Sequence, residues 1–168
     1  RSGHVVFVSG NLGVVYDSST KTQHFYTGHS RNAGNISAFA ISPDGALCAT
    51  GTMGREPEVH VWDALTGTGI AQFEGIHAVG IAYLAFSAST SVLAAIGHDD
   101  NHFVSVYESY SGTWSDGRCV ATEDSVGVKP CSLAFVGAES LPLLLGHAEG
   151  GMFIRRQGAT LQLRRAKF

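Results

Sequence analysis

Gly28-His29, then Phe39-Ala40-Ile41-Ser42-Pro43-Asp44-Gly45, then Ala49-Thr50-Gly51, then Val59-His60-Val61-Trp62-Asp63: this order of short apolar runs and turns decides the fold. Pro43 presets φ, Asp44 bonds its own backbone and Gly45 accepts a positive φ, so the chain reverses after Ile41. Ala49-Thr50-Gly51 closes a second strand, Val59 to Asp63 is a third, and Thr66-Gly67-Thr68-Gly69 turns into a fourth. Along the first strand Ile36, Ala38, Ala40 and Ser42 fall on one face, with Ser37, Phe39 and Ile41 on the other. Both faces are largely apolar, which predicts a strand covered on both sides. One four-stranded antiparallel sheet cannot cover both its own faces, so it needs neighbours of the same kind.

Those neighbours are in the chain. Leu84-Ala85-Phe86-Ser87 and Leu133-Ala134-Phe135 repeat Phe39-Ala40-Ile41-Ser42, while Val8-Ser9-Gly10, Ala95-Ile96-Gly97 and Leu144-Leu145-Gly146 match Ala49-Thr50-Gly51. Third strands follow at Gly13 to Asp17, Phe103 to Glu108 and Met152 to Arg156, and aligning Tyr16, Trp62, Tyr107 and Ile154 gives steps of 46, 45 and 47 residues. Spacing near ~40–45 residues with four strands per unit is the signature of the WD-repeat blade. The expected fold is all-β: a WD-repeat β-propeller segment of about three four-stranded blades, plus trailing strands of an earlier one. The partial propeller spans 1–168, with earlier-blade strands in 1–28 and blades in 29–75, 76–124 and 125–168. Three and a half blades predict two open radial faces carrying apolar residues such as Phe39, Ile41, Leu84, Phe86 and Phe135, so a segment of a longer propeller protein is expected.

Composition fits short half-buried strands between tight turns: 44% hydrophobic residues, 21 Gly and 4 Pro. No run approaches the ~20 apolar residues that would span a bilayer, and Arg1-Ser2-Gly3-His4 does not read as a signal peptide, so no membrane partner is expected. Cys48, Cys119 and Cys131 lack metal-type spacing, and an odd number argues against a disulfide framework, which predicts a reducing intracellular compartment. Cys48, between Leu47 and Ala49, reads as a small buried thiol.

Set in order, these residues resemble the start of the tandem propeller domain of the echinoderm microtubule-associated protein-like family, from about Val5 to Phe168. Val14-Val15-Tyr16-Asp17 and Thr22-Gln23-His24-Phe25-Tyr26-Thr27-Gly28-His29 are similar to the end of that family's hydrophobic motif and its exit into the first regular blade. Ala49-Thr50-Gly51, an irregular stretch, and Pro57-Glu58-Val59-His60-Val61-Trp62-Asp63 resemble its lengthened hairpin. Asp99-Asp100-Asn101-His102-Phe103-Val104-Ser105-Val106-Tyr107 resembles its next blade, with Tyr for the usual Trp. The resemblance implies binding to tubulin or microtubules in the cytoplasm and cytoskeleton. It also implies a buried blade network of His, Ser or Thr, Trp and Asp, to which His29, Thr50 and Trp62 contribute. No Asp stands at the usual place before the third strand, where Glu56 and Glu58 are imperfect substitutes; water or a carboxylate from elsewhere is expected to complete the set.

Two other features bear on chemistry. His98-Asp99-Asp100-Asn101-His102 offers imidazoles and carboxylates that suit a divalent metal. Asp and Asn also favour a hairpin turn, and the turn is the better account, so neither a metal nor any other cofactor is expected. No Ser-His-Asp pattern or Gly-x-Ser-x-Gly elbow occurs, and no catalytic residues are assigned. The formal net charge is −3, yet all 14 acidic residues precede Gly150, and five of the 11 basic ones, Arg155, Arg156, Arg164, Arg165 and Lys167, follow it. Such a patch suits acidic tubulin tails, and equally a solvated outer strand face whose arginine stems cover apolar surface. Nucleic acid ranks low, because no recognised module accompanies the arginines. The sequence therefore predicts a non-catalytic module that binds tubulin or microtubules, with a general WD-repeat scaffold for another protein complex as the alternative.

Overall fold

The computed structural model describes residues 3–137 and 143–166, and among them the chain is all strand and turn. The first sheet has three strands in the order β1 (His4–Ser9), β2 (Leu12–Asp17) and β3 (Thr22–Tyr26). The second is a four-stranded meander of β4 (Asn35–Ile41), β5 (Leu47–Met53), β6 (Val59–Asp63) and β7 (Gly69–Phe73). A third meander follows, β8 (Ile81–Phe86), β9 (Val92–Gly97), β10 (Val104–Glu108) and β11 (Arg118–Glu123). The last is β12 (Pro130–Phe135), β13 (Leu143–His147), β14 (Gly150–Gln157) and β15 (Thr160–Arg165). β11 touches β15 in parallel at Thr122 and Thr160, where the Thr122 amide donates to the Ala159 carbonyl at 3.3 Å; this contact joins the last two meanders into one eight-stranded sheet. The first strands of successive sheets, β1, β4, β8 and β12, lie next to one another, so the sheets stand side by side around a common edge.

Apolar side chains fill each space between sheets. Val15 and Tyr26 of the first sheet meet Cys48 and Trp62 of the second. Ala49, Val59 and Val61 of the second meet Leu84, Phe86 and Leu93 of the third. Val92, Ile96, Val104 and Val106 of the third meet Leu143, Leu145, Ile154 and Leu161 of the fourth.

Two expectations are corrected. Leu84 and Phe86 do not lie on an open face: each is 8% exposed, covered by the neighbouring sheet, and Phe39 and Phe135 pack partly against their own clusters. Ile41 is exposed as expected, at 43%, and a further exposed apolar face lies on the first sheet, where Val5, Phe7 and Phe25 stand in register with Tyr16 and Val14. The alternation drawn along β4 also breaks. A bulge at Ser37 sets Ile36 opposite Thr52 and Ala38 opposite Gly51, so Ile36 shares the Phe39 face rather than the Ala38 face. Ser37 turns aside because its hydroxyl donates to the Ile81 carbonyl at 2.7 Å, tying β4 to β8.

Candidate functional site

Trp62 sits on the face of β6 turned toward the first sheet, fully buried and stacked on Tyr26 at 5.0 Å. Its indole N–H donates to Thr50 Oγ1 at 3.1 Å. The Glu58 carboxylate can only accept, so His29 Nδ1, 3.2 Å from its Oε2, carries the proton, and Nε2 of the neutral ring accepts from the Thr50 hydroxyl at 2.7 Å. The same carboxylate oxygen accepts the Ser30 amide at 3.1 Å. Thus Glu58, immediately before β6, completes the set by bonding His29, and it does so from the neighbouring hairpin rather than from a distant part of the chain.

His60 and Tyr26 enlarge this group, and sequence reasoning missed both. His60 lies opposite Thr50 in the β5–β6 register and two residues before Trp62, so strand alternation alone puts it on the same face. The Tyr26 hydroxyl bonds His60 Nδ1 at 2.5 Å, and His60 Nε2 comes within 3.1 Å of Glu58 Oε2, off the line of a hydrogen bond and without another partner among the described residues. Burial pushes the His60 imidazole down to about 4 and lowers His29, and it pushes the Tyr26 hydroxyl up to about 12. Burial also opposes the Glu58 charge, but the bonds from Ser30 and His29 outweigh it and hold the carboxyl below its ordinary value. The result is one buried carboxylate served by neutral imidazoles.

Three donor atoms of His29, Glu58 and His60 lie within 4.8 Å of one another. The two rings, however, stack at 4.0 Å with an 18° tilt. An imidazole holds a cation in its own ring plane, and two nearly parallel planes share no point at bonding distance from both nitrogens. The arrangement suits a hydrogen-bond network and does not fit a shared metal.

A second network occupies the third sheet. His77, in the loop before β8, bonds Ser105 Oγ at 2.8 Å through Nε2, and Ser105 Oγ donates to the Tyr107 hydroxyl at 3.0 Å. Here the hydroxyl stands on the third strand, opposite Ala95, whereas in the second sheet Thr50 stands on the second strand, opposite His60. The register makes Ala95, one residue before the Ile96 matched from the sequence, the counterpart of Thr50, so the hydroxyl has crossed the ladder to the facing position and the repeat alone does not reveal it. Asp99 raises the His77 pKa against burial, which still leaves that imidazole pushed down to about 4.

Asp99 belongs to the His98 to His102 stretch. Its Oδ1 accepts the Phe103 amide at 3.1 Å and its carbonyl accepts the His102 amide at 3.0 Å, while His102 adopts a left-handed φ of 53°. The stretch is the β9–β10 turn, and no three of its side chains converge as ligands.

The C-terminal arginines are divided between two faces. Arg155 and Arg164 are exposed and share a face with Phe153 and Gln162, with Arg165 at the edge of the same cleft. Arg156 points the other way, half-buried, and pairs with Glu108 of the third sheet at 2.7 Å. Lys167 lies outside the described residues.

Stacked antiparallel meanders, with first strands at a common edge and His–hydroxyl–aromatic networks between sheets, define a WD-repeat β-propeller segment. No protein-family model matches the chain. It is 35% identical to mouse mitogen-activated protein kinase-binding protein 1 over 82 residues, covering 49% of this chain and 5% of that protein. It is 27% identical to the ciliary WD repeat-containing protein ctxp80 of Euplotoides octocarinatus over 67% of this chain and 18% of that one. It is 26% identical to the 77 kDa echinoderm microtubule-associated protein of Strongylocentrotus purpuratus over 64% of this chain and 16% of that protein. The chain thus spans less than a fifth of the length of these curated relatives. A chain in the crystal structure of a mitotic checkpoint complex superposes with a TM-score of 0.64 over 96% of this chain and 45% of its own length; at 16% identity the likeness is one of fold.

Proposed function

We propose that the chain is a non-catalytic binding module of a microtubule-associated protein, recognising tubulin or microtubules through a surface of its propeller, in the cytoplasm and at the cytoskeleton. The observation that carries this reading is the similarity to the echinoderm microtubule-associated protein across 64% of the chain. The chemistry is consistent with it. The histidines with lowered pKa, His29, His60 and His77, are buried, and His29 and His77 bond the strand hydroxyls of Thr50 and Ser105.

Co-sedimentation of the 168-residue chain with microtubules, and its binding to free tubulin, at low and high salt tests the reading. Saturable binding to either form supports it. A folded chain that binds neither would leave the second reading, a WD-repeat scaffold for another protein complex. That second reading draws on the 35% identity to the kinase-binding protein.

A further inference from the structure

Glu58 carries a charge that no neighbour cancels. Its Oε2 accepts from His29 Nδ1 and the Ser30 amide at 3.2 and 3.1 Å, with His60 Nε2 3.1 Å away. Burial lowers both imidazoles, so they stand neutral beside an ionised carboxylate. Neutral donors satisfy lone pairs and leave the net charge in place, and the Glu58 side chain is only 4% exposed. A buried charge of this kind is costly without an opposite one. Its second oxygen, Oε1, accepts no hydrogen bond among the described residues and is not closed off from solvent.

Glu58 lines a cleft of about 510 Å³, bounded by the β3–β4 loop at Ser30 and Asn32, the β5–β6 hairpin at Arg55 and Glu56, and the segment after β7 at Glu74. Glu56 and Glu74 are exposed at its rim, where they accept the side-chain amides of Asn32 and Gln72, which again are neutral. Among the described residues no lysine or arginine pairs with any of these three carboxylates, Arg55 included. The opening lies at the ends of strands in the second and third sheets, each of which already has a sheet packed on both sides. A further sheet at either end of the stack would extend it without covering this cleft.

We propose that the cleft receives an arginine side chain of a partner protein, paired with Glu58 Oε1. The proposal rests on the reading of the chain as a protein-binding module and names the site and the partner's chemistry. Charge complementarity calls for a cation. A guanidinium suits the site better than an ammonium, because its planar set of five donors serves Glu58 and a rim carboxylate together and it sheds water more readily. A bare metal ion fits less well, since the stacked rings of His29 and His60 cannot both turn a nitrogen to it.

The test is fluorescence anisotropy of the 168-residue chain with a fluorescein-labelled peptide of alternating arginine and serine. The same peptide with citrulline, a neutral isostere, for arginine is the control, and circular dichroism checks that each variant is folded. The arginine peptide is expected to bind and the citrulline peptide not. Glu58→Gln should weaken binding about tenfold. Glu56→Gln/Glu74→Gln, which leaves the buried network intact and carries the test if Glu58→Gln does not fold, should weaken it about threefold. Arg55→Ser removes a like charge from the rim and should tighten binding about twofold. Asp124→Asn/Glu149→Gln, at exposed carboxylates elsewhere, should change nothing. Equal loss in the two double variants, no loss at the rim, weaker binding in Arg55→Ser, equal binding of the citrulline peptide, or tighter binding of calcium ion at the same carboxylates overturns the proposal. Absent peptide binding with intact microtubule co-sedimentation overturns this site and leaves the functional reading standing. Peptide binding with the expected pattern but no co-sedimentation upholds the site and overturns the microtubule reading.

Discussion

The Glu58 carboxylate accepts hydrogen bonds and donates none, and that asymmetry orders the protons around Trp62. The His29 proton therefore faces Glu58, His29 Nε2 accepts from the Thr50 hydroxyl, and the Thr50 oxygen accepts the Trp62 indole N–H. Trp62→Ala removes a fully buried side chain and one donor of this chain of bonds, so it should cost roughly 3–5 kcal/mol in urea unfolding followed by circular dichroism. A loss below about 0.5 kcal/mol, typical of a surface site, would contradict this placement. Acid should act through the same residues. His60 and His77 are each pushed down to about 4 by burial, from 6.5 when unfolded. Above pH 6.5 neither form binds the proton and nothing is lost. As pH falls from 6.5 toward 4 the unfolded chain takes up protons that the folded chain refuses, so stability should drop by up to about 1.4 kcal/mol per pH unit for each histidine. Unfolding midpoints measured across this range should show the slope, and His77→Gln should reduce it. A stability that stays level between pH 6.5 and 4.5 would mean these imidazoles are free to charge where they stand.

At the scale of strands and turns, most of the pattern is visible in the chain itself. Val59 to Asp63 is the third strand of its sheet as read, and Gly45, Gly67, Gly112 and Gly158 all take the positive φ that their turns demand. The bulge at Ser37 was not readable, because it depends on a carbonyl of β8, a strand that arrives from the next repeat. Gly13 is a similar case. Within β2 it looks like a residue that weakens a strand, yet an added Cβ would lie 2.6 Å from Trp62 Cζ2. Gly13→Ala should therefore push against a rigid indole and cost about 1–3 kcal/mol, with a shifted Trp62 fluorescence maximum. Unchanged stability and emission would show that the first and second sheets do not pack so closely.

Among the described residues the two outermost sheets of the stack present dissimilar outer faces. At the first end Val5, Phe7 and Phe25 leave an apolar face in solvent, of the kind that drives association. The 168-residue chain is expected to self-associate with rising concentration in sedimentation velocity, and Phe7→Lys/Phe25→Lys to return it toward monomer. Association that persists in the double variant would have to arise elsewhere. At the other end the arginines of the last sheet, one charged cluster in the sequence, separate into an inward Arg156 held by Glu108 and an outward set around Phe153. Sequence order could not sort them, since β14 alternates its faces while the charge count does not.

The all-β class, the repeat and the places of the turns follow from local spacing, because strand alternation and turn chemistry act within a few residues, and the family resemblance implied the grouping of His29, Thr50 and Trp62. The bond of Tyr26 to His60, the choice of Glu58 over Glu56 beside His29, the Ser105 hydroxyl beneath His77, and the pairing of Arg156 with Glu108 were decided by tertiary structure. Each depends on which face of one sheet meets which face of the next, and that choice is made by packing between residues dozens of positions apart.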